Sequence, residues 1–270
     1  PFVIRYYNQT AGANAGKVIF ARYNGSNSAA VFSTMTLNDD QWHHIAAVKS
    51  GTQIQLYIDG ALNGSATDLT TGTTTNTSAV YVGRRGNNFY NWFNGTIDEL
   101  SIWDRALCRG EILNNMNCEL NPAGQSNLTG LYSFNNGYVN SNNAGLTTLA
   151  DASVSANNGT LNGFGLTGNT SNWTSGWATG TCSAFVPLSA TATNSSPVSI
   201  GNSLTLSSSV TGSNSTGAVS YTWSGPGLTN TTTGNTSLIV NPVTGMNGGV
   251  YTVTATAVGC STTATTTVNV

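Results

Sequence analysis

Charged residues are scarce in this sequence. Asp, Glu, Lys and Arg make up 7% of the 270 residues, whereas they make up about a quarter of an average soluble protein. Only eight residues are Lys or Arg, and Arg84-Arg85 is the one basic pair. A duplex nucleic-acid binder needs several cations on one face to displace counterions. We therefore expect no nucleic-acid partner.

Long apolar runs are also lacking. No stretch approaches the roughly 20 apolar residues that a membrane-spanning helix requires, so we expect no membrane span in this segment. The chain starts at Pro1-Phe2-Val3-Ile4 without a visible signal peptide. We interpret it as a mature or excised piece of a longer protein.

The patterns that usually accompany catalysis are missing as well. Glycan hydrolases hold two carboxylates about 5–10 Å apart, but the ten acidic residues form no Glu-x-Asp-x-x-Glu pattern. Asp98 and Glu99 are adjacent, so on a strand they would point to opposite faces. His43-His44 are interpreted as one packed and one exposed imidazole. We predict a non-catalytic protein and assign no catalytic residue.

Four cysteines are present, Cys108, Cys118, Cys182 and Cys260, and none has CxxC spacing. Zinc binding is therefore not expected. In an exported protein an even number of cysteines favours disulfides. Cys108 and Cys118 are ten positions apart and could close a local loop, while Cys182 and Cys260 bracket the last domain. We expect these two pairs, with four buried thiols as the alternative.

Short segments rich in β-branched and aromatic residues, separated by Gly, Asn, Asp or Ser, run along most of the chain. This pattern predicts an all-β protein. Asp59-Gly60 directly follows one such segment and predicts a hairpin. Only residues 104–117 have helical character, which allows one short helix. The strands predicted in the first 120 residues are 18–20, 42–48, 54–58, 80–82 and 97–103.

The first segment, residues 1–120, contains several motifs in a specific order. These are Asp40 to Val48, Gln55 to Gly60, Tyr81 to Gly86, Phe93 to Trp103, and Arg105-Ala106-Leu107 with Glu111-Ile112. Their order and gaps closely resemble the laminin-G-like, concanavalin-A-like jelly rolls of large bacterial (Bacteroidetes-type) surface proteins. The resemblance implies an antiparallel jelly-roll sandwich at the cell surface or outside the cell. Such domains usually begin with strands that precede the segment at Phe2.

Residues 121–181 form an Asn/Gly-rich segment. Gly130 to Phe134 and residues 149–161 resemble the opening of another copy of the same family. The segment is therefore either the start of a further jelly-roll repeat or a part that docks onto the first domain.

Residues 182–270 resemble the immunoglobulin-like repeats of bacterial adhesins. The resemblance implies an immunoglobulin-like β-sandwich with Trp223 in the core and Tyr251 as the corner tyrosine. Antibody-type domains place a cysteine two residues after that tyrosine, where this chain has Val253. The partner strand carries Leu204 or Leu206. We therefore expect a core held by packing rather than by an inter-sheet disulfide.

Calcium is the one cofactor that the resemblance implies. In jelly rolls of this family, the Asp in the position of Asp98 often helps to hold a structural calcium together with an acidic loop. Asp151 with Asn157 and Asn158 resembles such a loop, and carboxylate and amide oxygens suit this ion. The predicted metal ligands are Asp98, Asp151 and Asn157.

A glycan-binding loop is predicted where aromatic residues and asparagines alternate. Sugars stack their apolar faces on aromatic rings, and Asn amides bond their hydroxyls. The predicted contacts are Asn87, Asn88, Tyr90, Asn91 and Trp92. The alternative is that these rings only cap the edge of the sandwich.

Together these features predict a segment of a large secreted or cell-surface adhesin. Its expected partners are a glycan or an extracellular protein ligand and the neighbouring domains of the same long chain. Two alternatives stay open: a structural stalk or filament repeat without a ligand of its own, and an accessory binding region of a secreted glycan-active enzyme.

Overall fold

The computed structural model describes residues 2–7, 12–24, 27–70, 76–84, 86, 92–213 and 217–270. The described chain is all-β, with antiparallel sheets as predicted. It divides into two compact units. Unit 1 comprises Pro1–Leu107 and Asn115–Cys182, and unit 2 comprises Cys108–Asn114 and Ser183–Val270.

Unit 1 contains two three-stranded sheets, ordered β1-β2-β3 and β4-β5-β6, and two two-stranded sheets, β7-β8 and β10-β9. The strands of unit 1 are β1 Phe2–Tyr6, β2 Val18–Asn24, β3 Asn27–Phe32, β4 Ile45–Ser50, β5 Gln53–Ile58, β6 Ala61–Thr67, β7 Leu100–Trp103, β8 Leu128–Tyr132, β9 Thr148–Leu149 and β10 Gly159–Thr160.

The two three-stranded sheets pack face to face. Phe20 on β2 and Val31 on β3 join Ile54, Leu56 and Ile58 on β5 in one buried cluster. These residues alternate along their strands, so every second side chain enters the core. Their burial is the main apolar contribution to the stability of this sandwich.

The predicted hairpin at Asp59-Gly60 is confirmed. Ile58 pairs with Ala61, and Asp59 and Gly60 both have positive φ, 49° and 72°. Two positive φ values in a two-residue loop are typical of a type I′ turn, whose twist matches that of the strands.

Three predicted strands in unit 1 differ from the structure. The segment 97–103 is a strand only from Leu100 onwards. Residues 80–82 lie outside the strands, and Val80 is 78% exposed. Strand β4 begins at Ile45, so Trp42 and His43 precede it. β-branched residues favour a strand only where a neighbouring strand and a buried face are available.

The segment after the helix packs within unit 1. β8 is antiparallel to β7, with Leu100 opposite Tyr132 and Ile102 opposite Gly130. Leu128 and Leu131 are buried with Leu120. Residues 115–182 therefore belong to the same compact unit as the first segment, and the start of a further repeat in 121–181 stays a prediction.

Unit 2 is a two-sheet sandwich with sheet orders β11-β12-β15 and β14-β13-β16-β17. Its elements are α1 Arg109–Asn115, β11 Ser189–Asn194, β12 Leu204–Thr211, β13 Ser220–Gly225, β14 Leu228–Thr233, β15 Ser237–Val240, the 3-10 helix Gly245–Asn247, β16 Gly249–Ala257 and β17 Cys260–Val268. Helix α1 is the short helix that the sequence predicted. The helices of the described residues are too short and polar to cross a bilayer.

The predicted core of unit 2 is confirmed. Trp223, Tyr251, Val253, Leu204 and Leu206 are all 0% exposed and belong to one cluster. The Tyr251 hydroxyl donates to the carbonyl of Asn247, four residues upstream, at 3.0 Å. This bond is of the kind expected for a corner tyrosine, and the immunoglobulin-like assignment of residues 182–270 stays a prediction.

All four cysteines form disulfides, but the predicted pairing is wrong. Cys108 is bonded to Cys260, and Cys118 to Cys182. Helix α1 separates Cys108 from Cys118, and its seven residues span about 10 Å, more than the Cα separation that a disulfide allows. The Cys182 amide donates to the carbonyl of Glu119 at 2.9 Å, which places Cys182 beside Cys118.

Candidate functional site

An exposed aromatic patch surrounds Trp92 in unit 1. The Arg84 guanidinium lies 4.9 Å from the ring centre of Tyr81 and 5.5 Å from that of Trp92. Tyr81, Trp92 and Phe93 are 45%, 52% and 43% exposed. We call Tyr81, Arg84, Trp92 and Phe93 the Trp92 patch.

Backbone pairing fixes the position of the Trp92 patch. Arg84 and Trp92 form an antiparallel bridge, and the Phe93 amide donates to the carbonyl of Gly83 at 2.8 Å. Gly83 has a φ of 79°, a conformation that favours glycine. The two chain segments thus form the neck of a loop and hold the arginine and the tryptophan side by side.

The docked segment also contributes to this surface. Gly163 lies beside the Trp92 ring, where an added Cβ would be 3.7 Å from Cη2. The next residue, Phe164, is 52% exposed. Residues from both parts of unit 1 therefore line one exposed aromatic region.

Of the predicted glycan contacts, the structure describes Trp92. Asn87, Asn88, Tyr90 and Asn91 lie outside the described residues. Arg84 was not among the predicted contacts. Its position after a glycine, at the start of an aromatic-rich loop, was the available signal.

The Trp92 patch combines flat apolar rings with a fixed cation. A guanidinium stacked on aromatic rings is held in place by attraction to the ring faces. One N–H of Arg84 donates to the Gly86 carbonyl at 3.3 Å, and a guanidinium has five N–H groups in all. Exposed rings next to a multivalent donor suit a ligand with an apolar face and several hydroxyl or carboxylate oxygens.

Asp151, a predicted calcium ligand, is buried and fully engaged by the protein. One carboxylate oxygen accepts from the amides of Leu131 and Ser153, both at 2.8 Å. The other accepts from the Ser153 hydroxyl at 2.9 Å and the Asn157 amide at 2.8 Å. Although burial favours the neutral acid, these bonds lower the pKa of Asp151.

A calcium ion does not fit this carboxylate. Its two oxygens offer about four lone-pair positions, and four protein donors occupy them. The Asn157 side chain donates to the Thr129 carbonyl at 3.2 Å. Among the described residues, no group of three or more His, Cys, Asp or Glu side chains could hold a metal ion.

Asp98 lies in a different environment from Asp151. One of its oxygens accepts from the Trp177 amide at 2.8 Å, and the close approach of Gly176 leaves no space there for a side chain. The Trp177 ring is 6.5 Å from that of Trp42. Asp98 thus anchors the docked segment, and calcium binding at this residue stays a prediction.

Glu99 has the most unusual acid–base behaviour in unit 1. Burial, followed by repulsion from Asp98 and Glu119, raises the pKa of Glu99 to about 7. Its φ of 48° places it in the left-handed region. The carboxyl group is therefore partly protonated near neutral pH.

His43 is held between two carboxylates. Its Nδ1 lies 2.9 Å from Asp59, and its Nε2 lies 3.1 Å from Asp39. Partial burial opposes the charged form, but the two carboxylates raise the pKa of His43. His44 differs, since burial lowers its pKa. His43 joins the β5–β6 turn to the loop before β4 and is bonded on both nitrogens.

Comparison with known proteins gives a match to one part of the chain. Residues 4–113 match the family model of the concanavalin A-like lectin/glucanases superfamily. A search of the curated proteins returned no match.

One similar solved structure is an S-layer domain-containing protein (residues 221–444) from Clostridium thermocellum. The two are 29% identical, and the alignment covers 37% of this chain and 51% of that structure, with a TM-score of 0.27. The chain thus spans about half of that solved segment. A TM-score this low does not indicate a common overall fold.

Proposed function

We propose that this chain is a non-catalytic, extracellular adhesin segment whose Trp92 patch binds glycans. The observation that carries the proposal is the stacked Arg84, fixed between two exposed rings. It lies in the part of the chain that matches a lectin and glucanase superfamily.

The chemistry of the patch supports a carbohydrate ligand. Trp92 and Tyr81 present about half of their surface to solvent, which is unusual for large aromatic residues that serve only packing. Ligand sites typically combine aromatic surface with a few fixed polar groups. Arg84 is such a group, and its positive charge favours glycans that carry a carboxylate or sulfate.

An extracellular location is supported by the cysteines. All four are paired, and disulfides persist mainly in oxidising compartments. The immunoglobulin-like fold proposed for unit 2 is supported by the buried Trp223 and the hydroxyl bond of Tyr251, and such a domain would suit a spacer of an adhesin.

The absence of catalysis is part of the proposal. Asp151 is saturated by four donors, and Asp39 and Asp59 share the ring of His43. Glu99 is the observation that favours a hydrolase, because general acids often have raised pKa values. Its neighbour Asp98 binds a backbone amide rather than facing it across a groove.

A glycan array followed by titration calorimetry tests this function. The full chain is applied to neutral, uronic-acid and sulfated glycans, with calcium and with EDTA. Trp92→Ala should weaken the strongest hit at least about tenfold, which corresponds to 1.4 kcal/mol. Trp177→Ala is the matched control, because Trp177 is 50% exposed but lies outside the patch.

The outcomes separate the alternatives. Equal losses for both tryptophan variants would contradict a role of the Trp92 patch. No glycan hit, together with end-to-end assembly in light scattering, would favour the stalk. Cleavage of a bound glycan that disappears in Glu99→Gln would contradict the non-catalytic assignment.

A further inference from the structure

A polar pocket lies in the docked segment of unit 1, separate from the Trp92 patch. It has a volume of about 350 Å³ and is lined by Asn136, Tyr138, Asn142, Asn143, Gly145 and Leu146. We call it the Tyr138 pocket. It belongs to residues 115–182, outside the matched family region of residues 4–113.

The buried side-chain amide of Asn143 forms part of the lining of the Tyr138 pocket. Asn143 is 3% exposed. Its oxygen accepts from the Tyr138 amide at 2.8 Å, and its nitrogen donates to the Tyr138 carbonyl at 2.8 Å. The same nitrogen donates to the Asn172 side chain at 2.8 Å. Asn143 thus fixes the backbone of Tyr138 as a neighbouring strand would.

Trp173 holds the same loop in place through hydrogen bonds and ring packing. Its indole nitrogen donates to the Phe134 carbonyl, and its carbonyl accepts from the Asn140 amide at 2.9 Å. Its ring lies so close to Gly137 that a Cβ there would overlap it. The loop is therefore organised before any ligand arrives, which lowers the entropic cost of binding.

The rim of the pocket presents unused hydrogen-bond donors. The Asn142 oxygen accepts from the Ala144 amide at 3.0 Å, and the Asn136 oxygen accepts from the Ala150 amide at 3.4 Å. Because backbone N–H groups identify these atoms as oxygens, the side-chain NH₂ groups are the other ends. Neither NH₂ group has a protein partner among the described residues.

Tyr138 supplies the apolar surface of the site. Its side chain is 78% exposed, although its backbone is held rigidly by Asn143. An exposed ring on a fixed backbone is a ready platform for stacking. The pocket therefore combines one aromatic face, two amide donors and the apolar edge of Leu146.

We propose that the Tyr138 pocket is a second glycan subsite that binds a neutral saccharide. None of its six lining residues is charged, so it offers no counterion for a carboxylate or sulfate. The volume is at the lower end of the about 300–1,000 Å³ of small-molecule sites, which suits about one or two sugar rings. The inference rests on the proposed glycan-binding function only for its ligand class.

The test is an NMR titration of the ¹⁵N-labelled full chain. The probes are the methyl glycosides of glucose, galactose and mannose, and N-acetylglucosamine, with glucuronic acid as a charged comparison. A neutral probe should shift the side-chain NH₂ signals of Asn136 and Asn142 and the amide of Tyr138, with a Kd on the order of 1 mM. Salt should not change this Kd, because no charge is involved.

Four variants define the expected contacts. Tyr138→Ala should raise the Kd about tenfold, while Tyr138→Phe, which keeps the ring, should stay within about twofold. Asn142→Asp keeps an oxygen for Ala144 but removes the donor, and should raise the Kd about fivefold. Val139→Ala is the matched control, an exposed neighbour outside the pocket, and should bind normally.

Failure of this proposal can be told apart from failure of the first. If no neutral probe shifts the three signals at about 20 mM, or if Tyr138→Ala binds normally, the Tyr138 pocket is not a saccharide site. Trp92→Ala should leave the pocket shifts unchanged. Binding that Trp92→Ala alone abolishes would overturn the second site but support the Trp92 patch. Binding that Tyr138→Ala alone abolishes would support the Tyr138 pocket and contradict the Trp92 patch.

Discussion

Replacement of Asp151 by Asn should destabilise unit 1 strongly. The buried carboxylate accepts four hydrogen bonds, two on each oxygen. In Asp151→Asn one oxygen becomes an NH₂ group. Placed towards Ser153 and Asn157, it can donate to the Ser153 hydroxyl, which is also an acceptor, but it faces the Asn157 amide, so at least one charge-assisted bond is lost. At about 1.5–3 kcal/mol for a bond to a charged group, the loss is at least about 1.5–3 kcal/mol. This is a large part of the 5–15 kcal/mol typical of a whole domain.

The assay is urea unfolding at pH 7, in excess calcium and in EDTA, with the unit 1 transition assigned by hydrogen exchange of β8. Asp98→Asn is the matched control, because the single bond from Trp177 is preserved if the amide oxygen takes the same place. It should cost less than about 1 kcal/mol. For Asp151→Asn, the loss should be equal with and without calcium.

The pH dependence provides an independent check. The pKa of Asp151 is lowered from its ordinary value of 3.8 in the folded state, so this carboxylate binds a proton more readily in the unfolded state than in the folded state. The stability contributed by this carboxylate is thus fully present above the unfolded pKa and is lost as the pH falls through the folded pKa. In Asp151→Asn this acid-dependent loss should disappear.

Two results would refute this reasoning. One is a loss below about 1 kcal/mol in Asp151→Asn, which would mean that the four bonds contribute little. The other is calcium stabilisation of the natural chain that Asp151→Asn removes. A bound ion would supply about 2.7 kcal/mol at a hundredfold excess over its Kd, and Asp151 would then be a calcium ligand.

Tyr251→Phe should cost about 1–1.5 kcal/mol, because it removes the one hydroxyl donor that the carbonyls of Pro226 and Asn247 share. Tyr221→Phe should stay within about 0.5 kcal/mol, since its hydroxyl has no bond among the described residues. Urea unfolding of both variants checks this. The pKa of Glu99 is about 7 in the folded state against an ordinary 4.5. Its contribution to the free energy of unfolding is therefore most favourable below pH 4.5 and is lost as the pH rises through 7. Glu99→Gln should therefore recover about 1 kcal/mol at pH 8, after allowance for solvent screening, and melting curves at pH 5 and pH 8 that shift equally would contradict it. Replacing Cys118 and Cys182 together by Ala opens a loop of 64 residues and should lower the unfolding free energy by up to about 4 kcal/mol, measured in urea.

Much of the fold followed from local sequence signals. Asp59-Gly60 specified its hairpin because few residue pairs accept two positive φ values. Trp223 and Tyr251 marked the core of unit 2 because the corner tyrosine has a fixed relation to its strand. Such features depend on near neighbours in the chain, and sequence patterns record them well.

Features that depend on distant contacts were harder to predict. The pairing of Cys118 with Cys182 follows from the bridge between Glu119 and Thr181, which no local pattern reveals. The docking of β8 onto β7 was one of two open alternatives for the same reason.

The candidate sites show the same division. Trp92 was predicted as a contact from its aromatic, Asn-rich surroundings and stays a candidate, while the stacking of Arg84 on its ring is visible only in the structure. Asp151 was noticed as an acidic loop residue, but its four donors come from residues up to 20 positions away. The Tyr138 pocket depends on Asn143, whose burial the polar sequence around it did not indicate.

The Cys108–Cys260 bond has a mechanical consequence for a surface adhesin. Tension applied before Cys108 and after Cys260 passes directly through the sulfur–sulfur bond. The intervening chain, closed into a loop of 152 residues, then carries no load. About 500 Å of contour length is withheld from extension, including most of unit 2 and the whole docked segment with the Tyr138 pocket. Under force the residues outside the loop, 1–107 and 261–270, are the ones that can be extended, and the chain that forms the Tyr138 pocket lies within the closed loop.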